Sequence, residues 1–257
     1  VIWWIRRDLR LRNNPALGAA VAAGTTIIPV FILDPFLLRK PAEKRHRFLF
    51  AALNALDENL RQRGSRVIFR EGVPLEQLSR LVAETGAQVI FAEEDTSPYA
   101  RRRDGEIAAI LPLHQVTGAT IYPPGTVCKP DGKPYAVFTP FSKAWKALPF
   151  PGDHDLPVPL RLPAVPEIDS HPLPVSPGVP DFPASEAEAQ RRLTAFLAGP
   201  IQSYSEGRNQ LDESGTSGLS PYVRFGLLSP RQAAEAVIRL IHSSQDVAST
   251  TGCETGL

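Results

Sequence analysis

The sequence predicts an α/β protein in which a doubly wound parallel sheet is followed by a long proline-rich connector and then by the start of an all-helical region. Short apolar runs alternate with amphipathic stretches as far as residue 111, which is the order that strands and crossover helices produce. Residues 149–183 contain eleven prolines, so neither a helix nor a central strand is expected there. Helical periodicity resumes at Glu186.

The sheet prediction rests on four apolar runs, each followed by a segment of helical periodicity. The predicted strands are residues 1–5, 26–33, 67–69 and 88–92, and the predicted helices are residues 13–21, 42–63, 74–84 and 98–111. Strands that alternate with helices in this way pair in parallel, with the helices on both faces of the sheet.

Composition narrows the possible functions. Among 257 residues 43% are hydrophobic, which is enough for a core, and the net charge of +1 gives no polycationic signal for nucleic acid. Cys128 and Cys253 lie far apart, as in a reduced intracellular protein, and no Cys/His cluster has metal-ligand spacing. The sequence has neither a signal-peptide pattern nor a membrane-length apolar run, so we expect a soluble cytoplasmic protein.

Charged residues follow the predicted strands. In an open parallel sheet, ligands bind beyond the carboxyl ends of the strands, and here those ends carry Arg7, Asp34, Glu94 and Asp95. Strand-end loops are also charged in proteins that bind nothing there. No Gly-x-Gly-x-x-Gly follows the first strand and no phosphate-loop lysine motif occurs, which argues against a dinucleotide dehydrogenase or an ordinary ATPase.

Two arginine clusters suggest DNA contact but are better explained by structure. Arg6, Arg7, Arg10 and Arg12 surround Asp8, and such a run favours an ion-pair network over a DNA surface. The cluster at 101–103 opens a predicted helix and is expected on a solvated face.

The segment after the connector has the composition of a phosphate-binding turn. A helix is predicted over Glu186–Leu197, and the chain then reaches Tyr204, Arg208 and a turn of glycines and hydroxyl residues. In that turn Ser220-Pro221 is typical of a helix N-cap, whose free N–H groups and dipole, with Arg208, would favour a diphosphate. Ordinary helix capping would give the same pattern.

A second helix start follows at Ser229, where serine and glutamine stand at capping-box spacing. The periodicity places five residues on its buried side: Ala233, Ala234, Val237, Ile238 and Ile241.

Three motifs resemble the photolyase and cryptochrome family, in that family's order. The first is Trp-Trp-Ile-Arg-Arg-Asp-Leu-Arg-Leu-Arg-Asn-Asn-Pro-Ala-Leu, which begins at Trp3. The second comprises 122–125 and Pro-Tyr-Ala-Val-Phe-Thr-Pro-Phe, which begins at Pro134. The third is Tyr-x3-Arg-Asn from Tyr204, followed by Thr-Ser-x-Leu-Ser-Pro-Tyr-x-x-Phe-Gly from Thr216 and then Leu-Ser-Pro-Arg. The resemblance therefore spans the whole chain.

The resemblance implies a domain plan. Residues 1–133 would form a Rossmann-like antenna-type domain, 134–185 an extended inter-domain connector, and 186–257 the N-terminal part of a helical FAD-binding domain. Because the sequence lacks methionine, begins inside a strand and ends before the family's remaining flavin contacts, we expect it to be a piece of a longer protein.

The resemblance also implies a function, namely light-driven repair by a monomeric deoxyribodipyrimidine photolyase. Reduced FAD would donate an electron to a cyclobutane pyrimidine dimer in UV-damaged DNA, flipped out of the duplex, and recover it after the ring splits. The residues that match FAD contacts are Tyr204, Thr216, Ser217, Gly218, Leu219 and Ser220, and Arg208 matches a DNA contact. No catalytic residue is expected within this chain, and no metal.

An antenna pigment, either 8-hydroxy-5-deazaflavin or methenyltetrahydrofolate, is the second cofactor that the resemblance implies. Its expected neighbours at the strand ends are Arg7, Asp34, Glu94, Asp95 and Asp104.

Departures from the family pattern leave alternatives open. Gly218 stands where the family often has arginine or lysine, and Gly256 where a bulky aromatic is usual. A cryptochrome, which signals without repair, fits the same motifs. A stand-alone nucleotide-binding α/β domain would explain residues up to about Trp145 but not the motif at Thr216. Neither the lesion type nor the pigment is determined by the residues.

Overall fold

A computed structural model describes residues 1–24, 26–39, 42–151, 156–210 and 215–251, with side chains up to residue 243. Five parallel strands form one sheet in the order β3-β2-β1-β4-β5. They are β1 Ile2–Ile5, β2 Ile28–Leu33, β3 Ile68–Glu71, β4 Ile90–Glu93 and β5 Leu113–Val116. The order reverses beside β1, so a topological switch point lies between β1 and β4. The predicted doubly wound parallel sheet is confirmed.

Ten α-helices are described: α1 Pro15–Ala23, α2 Pro35–Leu38, α3 Glu43–Arg61, α4 Pro74–Thr85, α5 Pro98–Ala108, α6 Phe138–Ala147, α7 Glu186–Leu197, α8 Tyr204–Gly207, α9 Ser220–Arg224 and α10 Pro230–Thr251. A short 3-10 helix, Pro200–Ser203, precedes α8. Within the described ranges no helix combines the length and the apolar character that crossing a bilayer requires.

The sheet buries both faces because side chains alternate along each strand. Trp3 and Phe31 face a core that contains side chains of α1 and α3, such as Leu17 and Leu53. Trp4 faces the opposite core, which contains side chains of α4 and α5. This two-sided burial explains why β1 and β2 are continuous apolar runs.

The proline-rich connector runs along the open edge of the sheet. At β3, the backbone N–H of Phe69 donates to Ser170 Oγ at 2.9 Å, and the N–H of His171 donates to the Phe69 carbonyl at 2.8 Å. His171 Nε2 also lies 2.8 Å from a Glu71 carboxylate oxygen. The connector therefore covers an edge that would otherwise offer unpaired backbone groups.

The predicted connector, 134–185, is not extended throughout. Residues Phe138–Ala147 form α6, with the Trp145 ring edge-on to Tyr122 at a centroid distance of 5.3 Å. The prediction of extended chain was wrong there because the prolines cluster only after residue 148, which leaves helical spacing intact between Phe141 and Trp145.

The helical segment shares a core with the α/β part. Tyr222 of α9 is fully buried, with its ring 5.5 Å from that of Phe48 on α3. The Glu186 carboxylate at the start of α7 accepts the backbone N–H groups of Leu11 and Arg12, each at 2.9 Å. These contacts fix the segment that follows residue 186 against the strand-end loop after β1.

Candidate functional site

Glycines shape the turn that precedes α9. A Cβ atom at Gly215 would overlap the carbonyl oxygen of Gly207, so the two backbones approach closely only because both residues lack side chains. Gly218 has φ of +61°, in the left-handed region that L-residues with a side chain seldom adopt. Arginine or lysine at this position would therefore be strained in this backbone.

The hydroxyl groups of this turn face outward. Thr216 and Ser220 are exposed, and neither hydroxyl has a hydrogen-bond partner within the described part of the chain. Ser217 Oγ accepts the Leu219 N–H at 3.4 Å. Leu219 itself is buried in the core, so only its backbone is available to a ligand. The turn thus offers two exposed hydroxyl groups that have no partner among the described residues.

Ser220 is not the N-cap that the sequence suggested. The helix begins at Ser220, Leu219 occupies the cap position in an α conformation, and no side chain caps this end. Because α9 is only five residues long, its dipole is small, and the predicted contribution of that dipole to phosphate binding was overestimated.

The second predicted helix start is close to the observed one, since α10 begins at Pro230 directly after buried Ser229. Its inner side is formed by Ala233 and Ala236, which pack against the core. Ile241 is 49% exposed, so its predicted burial was wrong. α10 contacts α7 near its start, where Gln190 donates to Gln232 at 3.1 Å, whereas residues 241–243 are all exposed.

Tyr204 and Arg208 lie together, as their spacing predicts. The Arg208 guanidinium is 5.9 Å from the centroid of the Tyr204 ring, and that ring meets Phe196 edge-on at 5.9 Å. Arg208 is exposed and makes no ion pair with Glu206 within the described ranges. The other carboxylate considered as its partner, Asp212, lies outside the described residues.

The switch point between β1 and β4 carries three of the five residues expected beside a pigment. Arg7, Glu94 and Asp95 line a small cleft of about 130 Å³, and the Arg7 guanidinium lies 3.5 Å from the Asp95 carboxylate. Burial by itself would raise the pKa of Asp95, but hydrogen bonds from Ser97 and the charge of Arg7 hold it below its ordinary value. Asp95 is therefore a stable anion.

A larger cleft of about 320 Å³ adjoins it, and Arg7 and Ala119 line both. We call the two together the strand-end site. The larger cleft adds Ser220 and Arg224 of α9, and Arg7 Nε donates to the Arg224 carbonyl at 3.3 Å. The positive charge of Arg7, followed by burial, lowers the pKa of Arg224, as expected for two adjacent guanidinium groups. The carboxylates Glu93, Glu94 and Asp95 line the same clefts, so they balance the charges of Arg7, Arg10 and Arg224.

Sequence reasoning missed Arg224. It belongs to the quoted motif that starts at Thr216, but its approach to Arg7 spans 217 residues and depends on how α9 docks on the loop after β1. No local signal encodes such a contact.

A buried ion-pair network, of which Arg10 and Glu93 also line the larger cleft, supports the structural interpretation of two arginines. Arg10 pairs with Glu93 at 2.6 Å and Arg6 pairs with Asp104 at 2.6 Å, all four side chains being nearly inaccessible. Burial, opposed by Arg10, raises the pKa of Glu93. Asp104, expected beside the pigment, lies outside the strand-end site and is held by Arg6, Gln115 and Arg103.

Asp34, the fifth expected pigment neighbour, lies elsewhere. It lines a third cleft, between α2, α4 and α5, of about 530 Å³. Its carboxylate accepts the Phe36 N–H at 2.9 Å and the Tyr99 hydroxyl. The predicted set is therefore divided between the strand-end site, this third cleft and the buried network.

Known proteins resemble this chain along nearly its whole length. The DNA photolyase family model matches residues 1–163. A deoxyribodipyrimidine photo-lyase of Synechococcus sp. PCC 6301 is 33% identical over 257 residues, which cover 92% of this chain and 53% of that protein. A crystal structure of a bacterial class III photolyase from Agrobacterium tumefaciens matches with a TM-score of 0.80 and 30% identity, over 91% of this chain and 52% of the other.

The chain thus spans about half the length of the photolyases it matches. An uncharacterised 31.6 kDa protein of Synechococcus sp. PCC 6716 has a comparable length, being 34% identical over 96% of this chain and 93% of its own. Proteins named cryptochrome also match. The family match and the shared fold lead to one conclusion: the chain belongs to the DNA photolyase family.

Proposed function

We propose that this chain forms the α/β domain and the first part of the flavin-binding domain of a deoxyribodipyrimidine photolyase, which uses light to split cyclobutane pyrimidine dimers in DNA. The observation that carries the proposal is the outward-facing pair of free hydroxyls, Thr216 and Ser220, within a segment that aligns with photolyases. Cryptochrome signalling without repair is the alternative, and a repair assay on dimer-containing DNA separates the two.

The residues of the turn fit one end of FAD. A diphosphate needs donors on a surface that backbone can approach closely, and the left-handed Gly218 together with the free hydroxyls of Thr216 and Ser220 supplies both. The exposed Tyr204 ring lies at the start of α8, beside the same segment. FAD, when bound, supplies the light-driven electron transfer; the chain's own residues hold its phosphates and orient it.

The flavin proposal is tested by removing both hydroxyls. In a protein that carries this chain with a whole flavin-binding domain, Thr216→Ala with Ser220→Ala should weaken flavin retention by about 1.5–3 kcal/mol for each lost charge-assisted hydrogen bond. The measurement is the flavin-to-protein absorbance ratio after gel filtration. The 257-residue chain alone should retain FAD poorly, since it spans about half the length of the photolyases it matches.

The matched control replaces two exposed hydroxyls outside the turn, Thr194→Ala with Ser243→Ala, and should leave the ratio unchanged. An unchanged ratio in the Thr216/Ser220 double variant would remove the basis for the flavin assignment.

We further propose that an antenna pigment binds at the strand-end site, with Arg7 and Arg224 as its anion contacts. Arg7 pairs with Asp95 and Arg10 pairs with Glu93, whereas Arg224 has no carboxylate partner among the described residues and could meet an anionic group of the pigment. After expression in a host that makes both deazaflavin and folate pigments, the protein should absorb at a second band besides flavin, and Arg224→Gln should weaken that band. A spectrum of flavin alone would contradict the proposal.

A further inference from the structure

Glu93 is a buried acidic residue at the end of β4, where it lines the larger cleft of the strand-end site. Its side chain is 3% exposed, and its Oε1 atom accepts a hydrogen bond from the Arg10 guanidinium at 2.6 Å. The second carboxylate oxygen, Oε2, is also buried and has no hydrogen-bond partner among the described residues. An unsatisfied buried oxygen costs free energy, so stability alone does not explain this residue.

The pKa of Glu93 leads to the same conclusion. Burial is the largest effect and raises this pKa; the charge of Arg10 opposes burial and the charge of Asp8 adds to it. Because the pKa is higher in the fold than in the unfolded chain, the stability that this group contributes is lost as pH rises through the folded-state pKa. The ionised form of Glu93 therefore does not stabilise the fold. Buried ion pairs of this kind can often be replaced by apolar residues without loss of stability.

Arg10, the partner of Glu93, joins three parts of the fold. Its Nε and Nη2 atoms donate to the Asn13 carbonyl at 3.1 and 3.0 Å, and its Nη1 atom donates to the Gly226 carbonyl at 3.1 Å. Asn13 belongs to the loop after β1, whereas Gly226 follows α9. The Arg10 side chain is only 2% exposed, and Glu93 is its ion-pair partner among the described residues. The charge of Glu93 therefore keeps this buried guanidinium in place.

The Gly226 carbonyl lies close to the segment that carries the proposed flavin contacts. Helix α9 begins at Ser220 and is only five residues long, so the chain between Ser220 and Gly226 is short and helical. Both residues line the same cleft as Glu93. The adjacent Phe225 carbonyl accepts the Leu9 N–H at 3.2 Å. The bonds to Arg10 and Leu9 therefore set the position of α9 and of the turn before it.

Gly118 is packed closely against the Glu93 carboxylate. A Cβ atom added at Gly118 would lie 2.2 Å from Glu93 Oε1 and 2.7 Å from its Cγ. These distances are far below van der Waals contact, so the Glu93 side chain would have to move. A substitution at Gly118 thus displaces the carboxylate without removing its charge.

We propose that Glu93 is a positioning residue for the flavin-binding turn. It holds the Arg10 guanidinium, and Arg10 in turn holds the Gly226 carbonyl and with it α9. This inference rests on the proposed function, since it takes the Thr216–Ser220 turn as the flavin contact. It adds a residue of the sheet to those on which flavin binding depends.

The first test needs no flavin and uses amide hydrogen exchange of the ¹⁵N-labelled 257-residue chain, followed by NMR. The Leu9 amide reports on the contact between α9 and the loop after β1. Glu93→Gln removes the charge that holds Arg10, so the Leu9 amide should exchange at least about tenfold faster. The Val30 amide of the central strand β2 should keep its rate, which shows that the effect is local.

Two variants complete this test. Gly118→Ala should also speed exchange of the Leu9 amide, because it displaces the carboxylate. Glu84→Gln is the matched control: it removes a half-exposed carboxylate from its pair with Arg70 and should leave the Leu9 rate unchanged.

The second test separates positioning from stability in a protein that carries this chain with a whole flavin-binding domain. Arg10→Met with Glu93→Leu removes both charges together, so no unpaired charge stays buried and urea unfolding should be close to that of the unmodified protein. The Gly226 carbonyl nevertheless loses its donor. Affinity of the apoprotein for FAD, measured by flavin fluorescence, should therefore fall about tenfold.

The proposal is overturned if the Leu9 amide exchanges at the unmodified rate in Glu93→Gln, or if the stable double variant binds FAD as tightly as the unmodified protein. If the double variant does not fold, the exchange measurement decides. Failure of the flavin assignment itself is distinguishable, because it appears as unchanged flavin retention in Thr216→Ala with Ser220→Ala.

Discussion

The guanidinium of Arg208 is exposed above the Tyr204 ring and has no ion-pair partner among the described residues. Most other arginines of the helical segment already have partners. For example, Arg191 and Arg192 form ion pairs with Glu188. A guanidinium that has no ion-pair partner among the described residues, beside the proposed flavin-binding turn, can contact a phosphate that flanks a flipped pyrimidine dimer without reading the sequence. We therefore propose that Arg208 binds DNA.

Replacing Arg208 with alanine tests this role in a protein with a whole flavin-binding domain. Affinity for dimer-containing DNA should fall, and the slope of log affinity against log salt concentration should flatten by about one phosphate contact, with flavin content unchanged. Arg191→Ala is the matched control, because that exposed arginine is already paired, and it should leave the slope as it is. Loss of flavin with an unaltered salt slope would show that Arg208 has a structural role instead.

Elements could be predicted from the sequence where local chemistry determines them. The observed bounds of α7 are the predicted ones, since Ser185 accepts the Glu188 N–H as a cap and the apolar spacing continues to Leu197. Asn14 caps α1 in the same way, through the Leu17 N–H at 2.9 Å. Strong caps and unbroken periodicity depend only on neighbouring residues, so the helix bounds that they predict do not depend on distant contacts.

Other elements depend on contacts that the local sequence does not encode. The edge strand β5, Leu113–Val116, was not predicted, because its residues are polar or half-exposed and it exists by pairing with β4. Of the five residues expected beside a pigment, Arg7, Glu94 and Asp95 line the strand-end site, whereas Asp34 and Asp104 do not. Asp34 and Asp104 lie outside it because each carboxylate is hydrogen-bonded by other residues of the fold: Asp34 by Tyr99 and Asp104 by Arg6.

At the scale of the whole molecule, the helical segment and the sheet act as one packed unit. The Leu9 N–H donates to the Phe225 carbonyl at 3.2 Å, and Arg10 Nη1 donates to the Gly226 carbonyl at 3.1 Å. Tyr222, Leu227 and Leu228 are buried in the core that also holds Leu9. The Ser220–Gly226 motif therefore has a structural role beside any ligand role: it locks the segment after residue 186 onto the loop after β1.

Gly226 is the point where this joint is tightest. A Cβ atom there would overlap the carbonyl group of Arg7, and the residue has φ of +70°. Gly226→Ala should therefore lower the free energy of unfolding by more than about 2 kcal/mol, because it combines a backbone clash with a left-handed conformation. The measurement is urea unfolding of the 257-residue chain, followed by the fluorescence of its buried tryptophans, Trp3 and Trp4.

Gly105→Ala is the matched control. A Cβ at this position of α5 would meet nothing within 4 Å, so the substitution should stabilise the chain by about 0.5–1 kcal/mol. If Gly226→Ala unfolds at the same urea concentration as the unmodified chain, the helical segment is not locked to the sheet at this position.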